Sequence, residues 1–186
     1  MGIPRPTLPV MFYKSNQTIT DPNGPVSVSK VAQREELDYE VELAIVIGRD
    51  CKDATLDNAY NFVAGYTCAN DITARKHQAE SSQWSFSKSK LYVSLETLLL
   101  IATGFDNFCP VGPCIVSTRT MTNPHKLRLQ TTVSGRLLQD GTSSTMVFTI
   151  AEYVFSCDSL DPLVLMRTVL WCICLRGQLC LQEHLS

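Results

Sequence analysis

Two glutamates separated by one residue, Glu40 and Glu42, are the most chemically informative feature of this chain. The residues from 41 to 47 are otherwise apolar and mostly β-branched, which predicts a β-strand. Because successive side chains of a strand alternate between faces, both carboxylates project from the same face, about 6.5–7 Å apart at their anchor points. Two like charges on an apolar strand are costly unless a cation lies between them, and a hard divalent metal takes oxygen ligands. The pattern predicts a metal site. The alternative is a half-solvated strand with two exposed acids.

The elements that would position these acids are predicted to be mostly strands. A short apolar run predicts a strand at Val10–Lys14, and the alternation after residue 63 predicts another at Val63–Ala69. Between them, the apolar spacing over Asp53–Val63 predicts a helix capped by Asp53 or Thr55.

The second half of the chain continues this pattern. Residues 127–133 and 136–139 predict a hairpin around a tight turn at Ser134-Gly135. Thr145–Ile150 is either a further strand or the lead into a helix at Ala151–Phe155, and residues 72–83 are polar with one short helical turn. We therefore predict a mostly β (α+β) fold with few short helices.

Composition limits the classes of function. The chain has 186 residues, 45% hydrophobic and 18% charged, with a net charge of −2. These values are typical of a globular protein with one sizeable core, and without a basic stripe no nucleic-acid partner is expected. No segment has the length and hydropathy of a membrane span, and no secretory signal is recognisable, so we expect a cytoplasmic protein. The eight cysteines are scattered, which favours reduced, buried side chains.

Three sequence blocks, taken in order, resemble one known family. They are Asp38-Tyr-Glu-Val-Glu-Leu43, Ala64-Gly-Tyr-Thr-Cys-Ala-Asn-Asp-Ile-Thr-Ala-Arg-Lys-His-Gln78 and Phe105-Asp-Asn-Phe-Cys-Pro-Val-Gly-Pro113. Together they resemble the fumarylacetoacetate hydrolase family over roughly residues 5–155, because three motifs in the family's order are far more specific than one. The resemblance implies the β-roll of that family, with mixed and antiparallel sheets and a catalytic domain at residues 1–156.

The resemblance also implies a function. Members bind Mg²⁺, Mn²⁺ or Ca²⁺ and act on small 2-oxo or 1,3-dicarbonyl acids, by hydrolysing C–C bonds or by decarboxylating or tautomerising oxaloacetate through an enolate. By motif match, Glu40, Glu42 and Asp71 are the metal ligands, Gln78 binds substrate and Lys88 is the catalytic lysine. Members are usually dimeric, so a homodimer and an oxo-acid substrate are the expected partners.

The chain departs from the family pattern in three places. The family opens with a segment whose His and Glu activate water, and no such pair precedes Glu35 here. Residues 89–103 interrupt the motif that follows Lys88, and we interpret them as an insertion outside the family pattern. Residues 157–186 diverge from the Thr-Gly-Thr segment that closes the family's site.

These departures leave three hypotheses open. The first is a divalent-metal-dependent hydrolase or lyase of small oxo-acids. The second is a catalytically inactive member of the family that binds metal or pairs with a paralogue. The third is a β-rich interaction domain whose acids are surface residues.

Overall fold

The computed structural model describes residues 5–28, 32–33, 36–80, 84, 88, 90–92, 101–103, 106–160 and 170–173. Strands dominate this part of the chain, which confirms the predicted mostly β class with few short helices. The strands are β1 Ile19–Thr20, β2 Leu37–Asp38, β3 Val41–Ile47, β4 Val63–Asn70, β5 Thr73–Ala74, β6 Lys90–Tyr92, β7 Ile101–Thr103, β8 Cys109–Ser117, β9 Arg128–Val133, β10 Arg136–Thr142 and β11 Leu170–Ile173. The α-helices are α1 Arg75–Glu80 and α2 Ile150–Leu160, and the 3-10 turns are Asn16–Thr18, Ala59–Phe62, Pro124–Lys126 and Ser143–Thr145.

Five strands form the main sheet, in the order β1, β8, β4, β3, β11. The outer strand β1 pairs parallel with β8, and β11 pairs antiparallel with β3. The pairs β9–β10, β2–β5 and β6–β7 form separate two-stranded antiparallel sheets. Among the residues that the structure describes, no helix has the length and hydropathy needed to cross a membrane.

The chain divides into two compact units, and the first comprises Met1–Val10, Glu42–Thr67 and Cys114–Ser186. Its core includes side chains of β3, β4 and α2, and α2 packs against the 3-10 turn at Ala59–Phe62. A reciprocal capping box begins α2. The Glu152 carboxylate accepts from the backbone N–H of Thr149 at 2.6 Å, and the Thr149 hydroxyl accepts from the N–H of Glu152 at 3.2 Å.

The second unit comprises Met11–Val41 and Cys68–Pro113. Its apolar cluster contains Ala32, Ile72, Ala74 and Phe108. Side chains alternate along residues 71–74, so that Ile72 and Ala74 enter this cluster. Asp71 and Thr73 are directed to the opposite side, where both are 0% exposed. This core therefore fixes the direction of a buried carboxylate.

Two of the predicted elements are wrong. Residues 10–14, all of which are described, form no strand. The segment Asp53–Val63 contains only the 3-10 turn at Ala59–Phe62, instead of the predicted α-helix. Side chains that bond to nearby backbone compete with helix there: Asn58 and Thr55 each accept a hydrogen bond from the other's backbone N–H, at 2.7 and 3.2 Å.

Other predicted elements are confirmed. Strands β3 and β4 lie where the alternation indicated, and β9–β10 form the hairpin around Ser134 and Gly135, whose φ angles are +50° and +77°. Residues 145–149 lead into α2 and form no strand. The predicted insertion 89–103 contains β6 and β7, and the predicted tail 157–186 contains the end of α2 and β11. The rest of both lies outside the described residues.

Candidate metal centre

Three acidic side chains meet in the interior of the protein. Glu40, Glu42 and Asp71 are 4%, 1% and 0% exposed, and each offers a carboxylate oxygen within 4.8 Å of the others. Strand β3 is buried along both faces, apart from the partly buried Val46, which excludes the half-solvated alternative for the two glutamates. The three residues predicted as metal ligands are thus brought together.

Backbone pairing sets the separation of Glu40 and Asp71. The N–H of Asp71 donates to the carbonyl of Glu40 at 2.9 Å, and the N–H of Glu40 donates to the Asn70 side chain at 3.0 Å. Next to this contact, β2 pairs antiparallel with β5, with Asp38 opposite Thr73. The glutamate strand and the aspartate segment are therefore held in one register.

Lys88 is the predicted catalytic lysine, and it lies against the acids. Its side chain is 2% exposed, and its ammonium donates to Glu40 at 2.9 Å, to Asp71, and to the hydroxyl of Thr73 at 2.9 Å. The Thr73 hydroxyl donates in turn to the backbone carbonyl of Asp71 at 3.0 Å. An ammonium in this position can stabilise negative charge that develops on an oxygen nearby.

Lys14 is a second cation at the site, and the sequence analysis places it only at the end of a predicted strand. Its ammonium donates to Asp71 at 2.5 Å and to the backbone carbonyls of Ile72 and Phe108, at 3.1 and 2.8 Å. The signal in the sequence is one lysine that ends an apolar run, which is weak because most such lysines are solvated. Only the fold brings residue 14 to residue 71.

Arg75 completes the charged cluster. It forms ion pairs with Glu40 and with Asp38, and its guanidinium also donates to the side-chain oxygen of Gln78 at 2.9 Å. Gln78, the predicted substrate ligand, thus lies beside a residue that contacts the acids. Burial alone would lower the pKa of Arg75, but Glu40 and Asp38 outweigh it, and the net pKa is raised.

The cations keep Asp71 ionised. Complete burial by itself would raise the pKa of this carboxyl, but the ammonium groups of Lys14 and Lys88 have the larger combined effect, and the net pKa is lowered from its ordinary value. A carboxylate that stays ionised when buried is the form that a metal ion requires.

The donor set fits a hard divalent cation. Metal–oxygen distances of about 2.0–2.6 Å allow two ligand oxygens on one ion to be up to about 4–5 Å apart, which accommodates the 4.8 Å limit of these three carboxylates. Each carboxylate has about four lone-pair directions, so an oxygen that accepts from a lysine can also bind a metal. Three carboxylates and no sulfur or imidazole favour Mg²⁺, Mn²⁺ or Ca²⁺ over softer metals.

Comparison with known proteins supplies the family. Residues 1–160 match the family described as fumarylacetoacetate (FAA) hydrolase C-terminal. The chain belongs to this family. A Burkholderia lata relative is 36% identical over 165 residues, covering 87% of this chain and 52% of the relative. The chain therefore spans about half the length of the curated relatives it matches.

Solved structures of the family have the same fold. The 5-carboxymethyl-2-hydroxymuconate delta-isomerase of Mycobacterium smegmatis superposes with a TM-score of 0.68 at 35% identity, over 87% of this chain and 56% of that one. The 2-hydroxyhepta-2,4-diene-1,7-dioate isomerase of Mycobacterium marinum gives 0.69 at 36% identity, over 84% and 54%. The fumarylacetoacetate hydrolase of Exiguobacterium antarcticum gives 0.67 at 32% identity, over 80% and 48%.

Proposed function

We propose that this protein is a divalent-metal-dependent hydrolase or lyase of small 2-oxo or 1,3-dicarbonyl acids. The observation that carries the proposal is the buried group of Glu40, Glu42 and Asp71, with the ammonium of Lys88 bonded to two of the three. Family membership supports an enzyme of the hydrolase or isomerase kind.

The three carboxylates would hold the metal, and a bound divalent cation would supply Lewis-acid stabilisation of negative charge on a substrate oxygen. The residues of the chain do the remaining work. When a β-keto acid such as oxaloacetate loses CO₂, the electron pair of the broken C–C bond forms a C=C bond and the π pair of the ketone moves onto its oxygen. The resulting enolate later takes a proton from water at carbon. The Lys88 ammonium stabilises that oxygen as its charge grows.

Arg75 and Gln78 would orient the substrate in the site. The guanidinium of Arg75 is fixed by Asp38 on one side and joins Glu40 to Gln78 on the other. The side-chain amide of Gln78 would donate to a substrate carboxylate, because its oxygen already accepts from Arg75 and its NH₂ group is oriented by that bond. This arrangement orients an anionic substrate, which lowers the entropic cost of reaction.

The solved relatives suggest which reactions to assay. One is named for a 2-hydroxy-2,4-diene dioate, and an enol of this kind interconverts with its 2-oxo form through the same enolate. Decarboxylation, tautomerisation and acylpyruvate hydrolysis therefore each pass through an enolate of a 2-oxo acid, and the same site could serve each of them. Which of the three occurs depends on the bond that breaks to form the enolate. The enolate forms by loss of CO₂ in decarboxylation and by loss of a proton in tautomerisation. In hydrolysis it forms by C–C cleavage after water has added to the acyl carbonyl, and the acyl group leaves as a carboxylic acid.

The experiment is a turnover assay with oxaloacetate, an acylpyruvate and a 2-hydroxydienoate, in Mg²⁺ or Mn²⁺ and in EDTA. We expect turnover of at least one substrate that EDTA abolishes, and a loss of about 100-fold or more in Lys88→Met. The matched control is Lys76→Met, which removes a lysine that is 60% exposed and should leave turnover unchanged. Metal binding without turnover of any substrate would instead favour a non-catalytic metal-binding protein. The absence of both metal binding and turnover would favour an interaction domain. The predicted homodimer is tested by light scattering on the same samples.

A further inference from the structure

An aromatic ring covers one side of the Lys88 ammonium. The Nζ atom of Lys88 lies 4.6 Å from the centroid of the Phe12 ring, within the distance at which a cation is attracted to the face of an aromatic ring. The same ammonium donates to Glu40, Asp71 and Thr73. Lys88 is therefore held by oxygen acceptors on one side and by a ring on the other.

The local chain explains why Phe12 reaches this position. Residues 11–15 are not helical. Phe12 contacts the ammonium of Lys88, and Lys14, two residues later, contacts the carboxylate of Asp71. The intervening Tyr13 is 50% exposed. Trp84 packs against Phe12, with ring centroids 6.2 Å apart and ring planes inclined by 55°. The tilted pair fixes the orientation of the Phe12 ring.

We propose that Phe12 is a positioning residue for Lys88. Its ring attracts the ammonium, excludes water from one side of it, and so keeps it directed at Glu40 and Asp71, where the enolate oxygen of a substrate would be stabilised. The consequence for catalysis rests on the proposed function, whereas the placement of the lysine does not. An apolar side chain of similar size would exclude water but would lack the attraction of the ring, so the two contributions can be separated.

The first experiment measures the accessibility of Lys88 without any substrate. Lysines are acetylated with a water-soluble N-hydroxysuccinimide ester, and the extent at each site is read by mass spectrometry. Lys76, which is 60% exposed, is the internal reference. The variants are Phe12→Leu, Phe12→Tyr and, as a matched control one residue away, Tyr13→Leu.

We expect Lys88 to react far more slowly than Lys76 in the wild type, in Phe12→Tyr and in Tyr13→Leu. In Phe12→Leu the ratio of Lys88 to Lys76 labelling should rise about tenfold, because the cation–π attraction of a desolvated ammonium is lost. Equal ratios in Phe12→Leu and the wild type would overturn the proposal. Equal increases in Phe12→Leu and Phe12→Tyr would overturn it as well, because the ring face would then contribute nothing beyond packing.

The second experiment is kinetic and uses whichever substrate the turnover assay identifies. Since Lys88 acts on charge that appears in the transition state, Phe12→Leu should lower kcat about tenfold with little change in KM, and Phe12→Tyr should restore kcat. A change confined to KM would contradict the proposal. If the wild type turns over no substrate, the proposed function fails, and the labelling ratios still decide the role of Phe12.

Discussion

Replacing Lys14 with Met tests whether the buried acids depend on the cations around them. Methionine keeps most of the apolar volume of the side chain but removes the ammonium. In the folded protein that ammonium donates to Asp71 at 2.5 Å and to two backbone carbonyls, of Ile72 and Phe108. The substitution therefore leaves a 0% exposed carboxylate with one ammonium, that of Lys88, instead of two, and removes a charged donor from two carbonyls.

The expected loss of stability follows from these contacts. Removing one partner of a buried ion pair costs about 3–5 kcal/mol, because the other charge stays buried. Since Lys88 still pairs with Asp71, we expect the lower end of that range, about 3 kcal/mol. With a urea m-value of about 2 kcal/mol/M, the unfolding midpoint should fall by about 1.5 M.

The assay is urea unfolding of four proteins in EDTA: the wild type, Lys14→Met, Asp71→Asn and the double variant. In the Asp71→Asn background the lysine replacement should cost at least about 1.5 kcal/mol less than in the wild type, since no buried charge is left behind. Lys76→Met, at an exposed position, should change stability by no more than about 0.5 kcal/mol. A cost below about 1 kcal/mol for Lys14→Met, or the same cost in both backgrounds, would refute the reasoning.

Three further predictions concern the scaffold. Thr149→Ala removes the cap of α2 and should lower the free energy of unfolding by about 1 kcal/mol in urea titrations, whereas Thr149→Ser should retain it. The pKa of Glu152 is lowered mainly by its hydrogen bond from the Thr149 N–H. The ionised carboxylate therefore contributes fully to folding stability above the unfolded-state pKa of 4.5, and this contribution is lost as the pH falls through the lower pKa of the folded state. Thermal melts from pH 6 to pH 3 should show this loss in the wild type and a smaller one in Glu152→Gln. Gly65→Ala should cost about 1–3 kcal/mol, because a Cβ there would overlap the backbone carbonyl of Val116 on the neighbouring strand, and an unchanged urea midpoint would contradict this.

Local patterns were enough to predict much of the sheet. The alternation around Glu40 and Glu42 predicts β3, and a Ser-Gly turn between alternating runs predicts the β9–β10 hairpin, because both depend on neighbours in sequence. The 3-10 turn in place of the helix at Asp53–Val63 was not predicted, since its apolar spacing suits a helix while its Asn and Thr side chains bond to nearby backbone.

The site was predictable only in part. Motif resemblance, with the paired glutamates, predicted the three acids and Lys88 as site residues, and the structure brings these four together, while their roles in binding and catalysis stay predictions. Lys14 and Phe12 were missed because their contacts to residues 71 and 88 are long-range in sequence, and because the apolar run around them predicts a strand that the structure does not form. The predicted domain boundary at residue 156, the homodimer and the cytoplasmic location stay predictions.

Binding of a divalent cation to Glu40, Glu42 and Asp71 is the central requirement of the proposed function. Isothermal titration of Mn²⁺ into the EDTA-stripped and desalted protein measures this, with Glu42→Gln as the test variant and Glu152→Gln, at a carboxylate outside the cluster, as the control. We predict one site per chain, an affinity at least about 100-fold weaker in Glu42→Gln, and no change in the control. Absence of binding heat in a folded wild type, confirmed by the absence of any Mn²⁺-induced rise in melting temperature, or equal affinity in Glu42→Gln, would contradict the account.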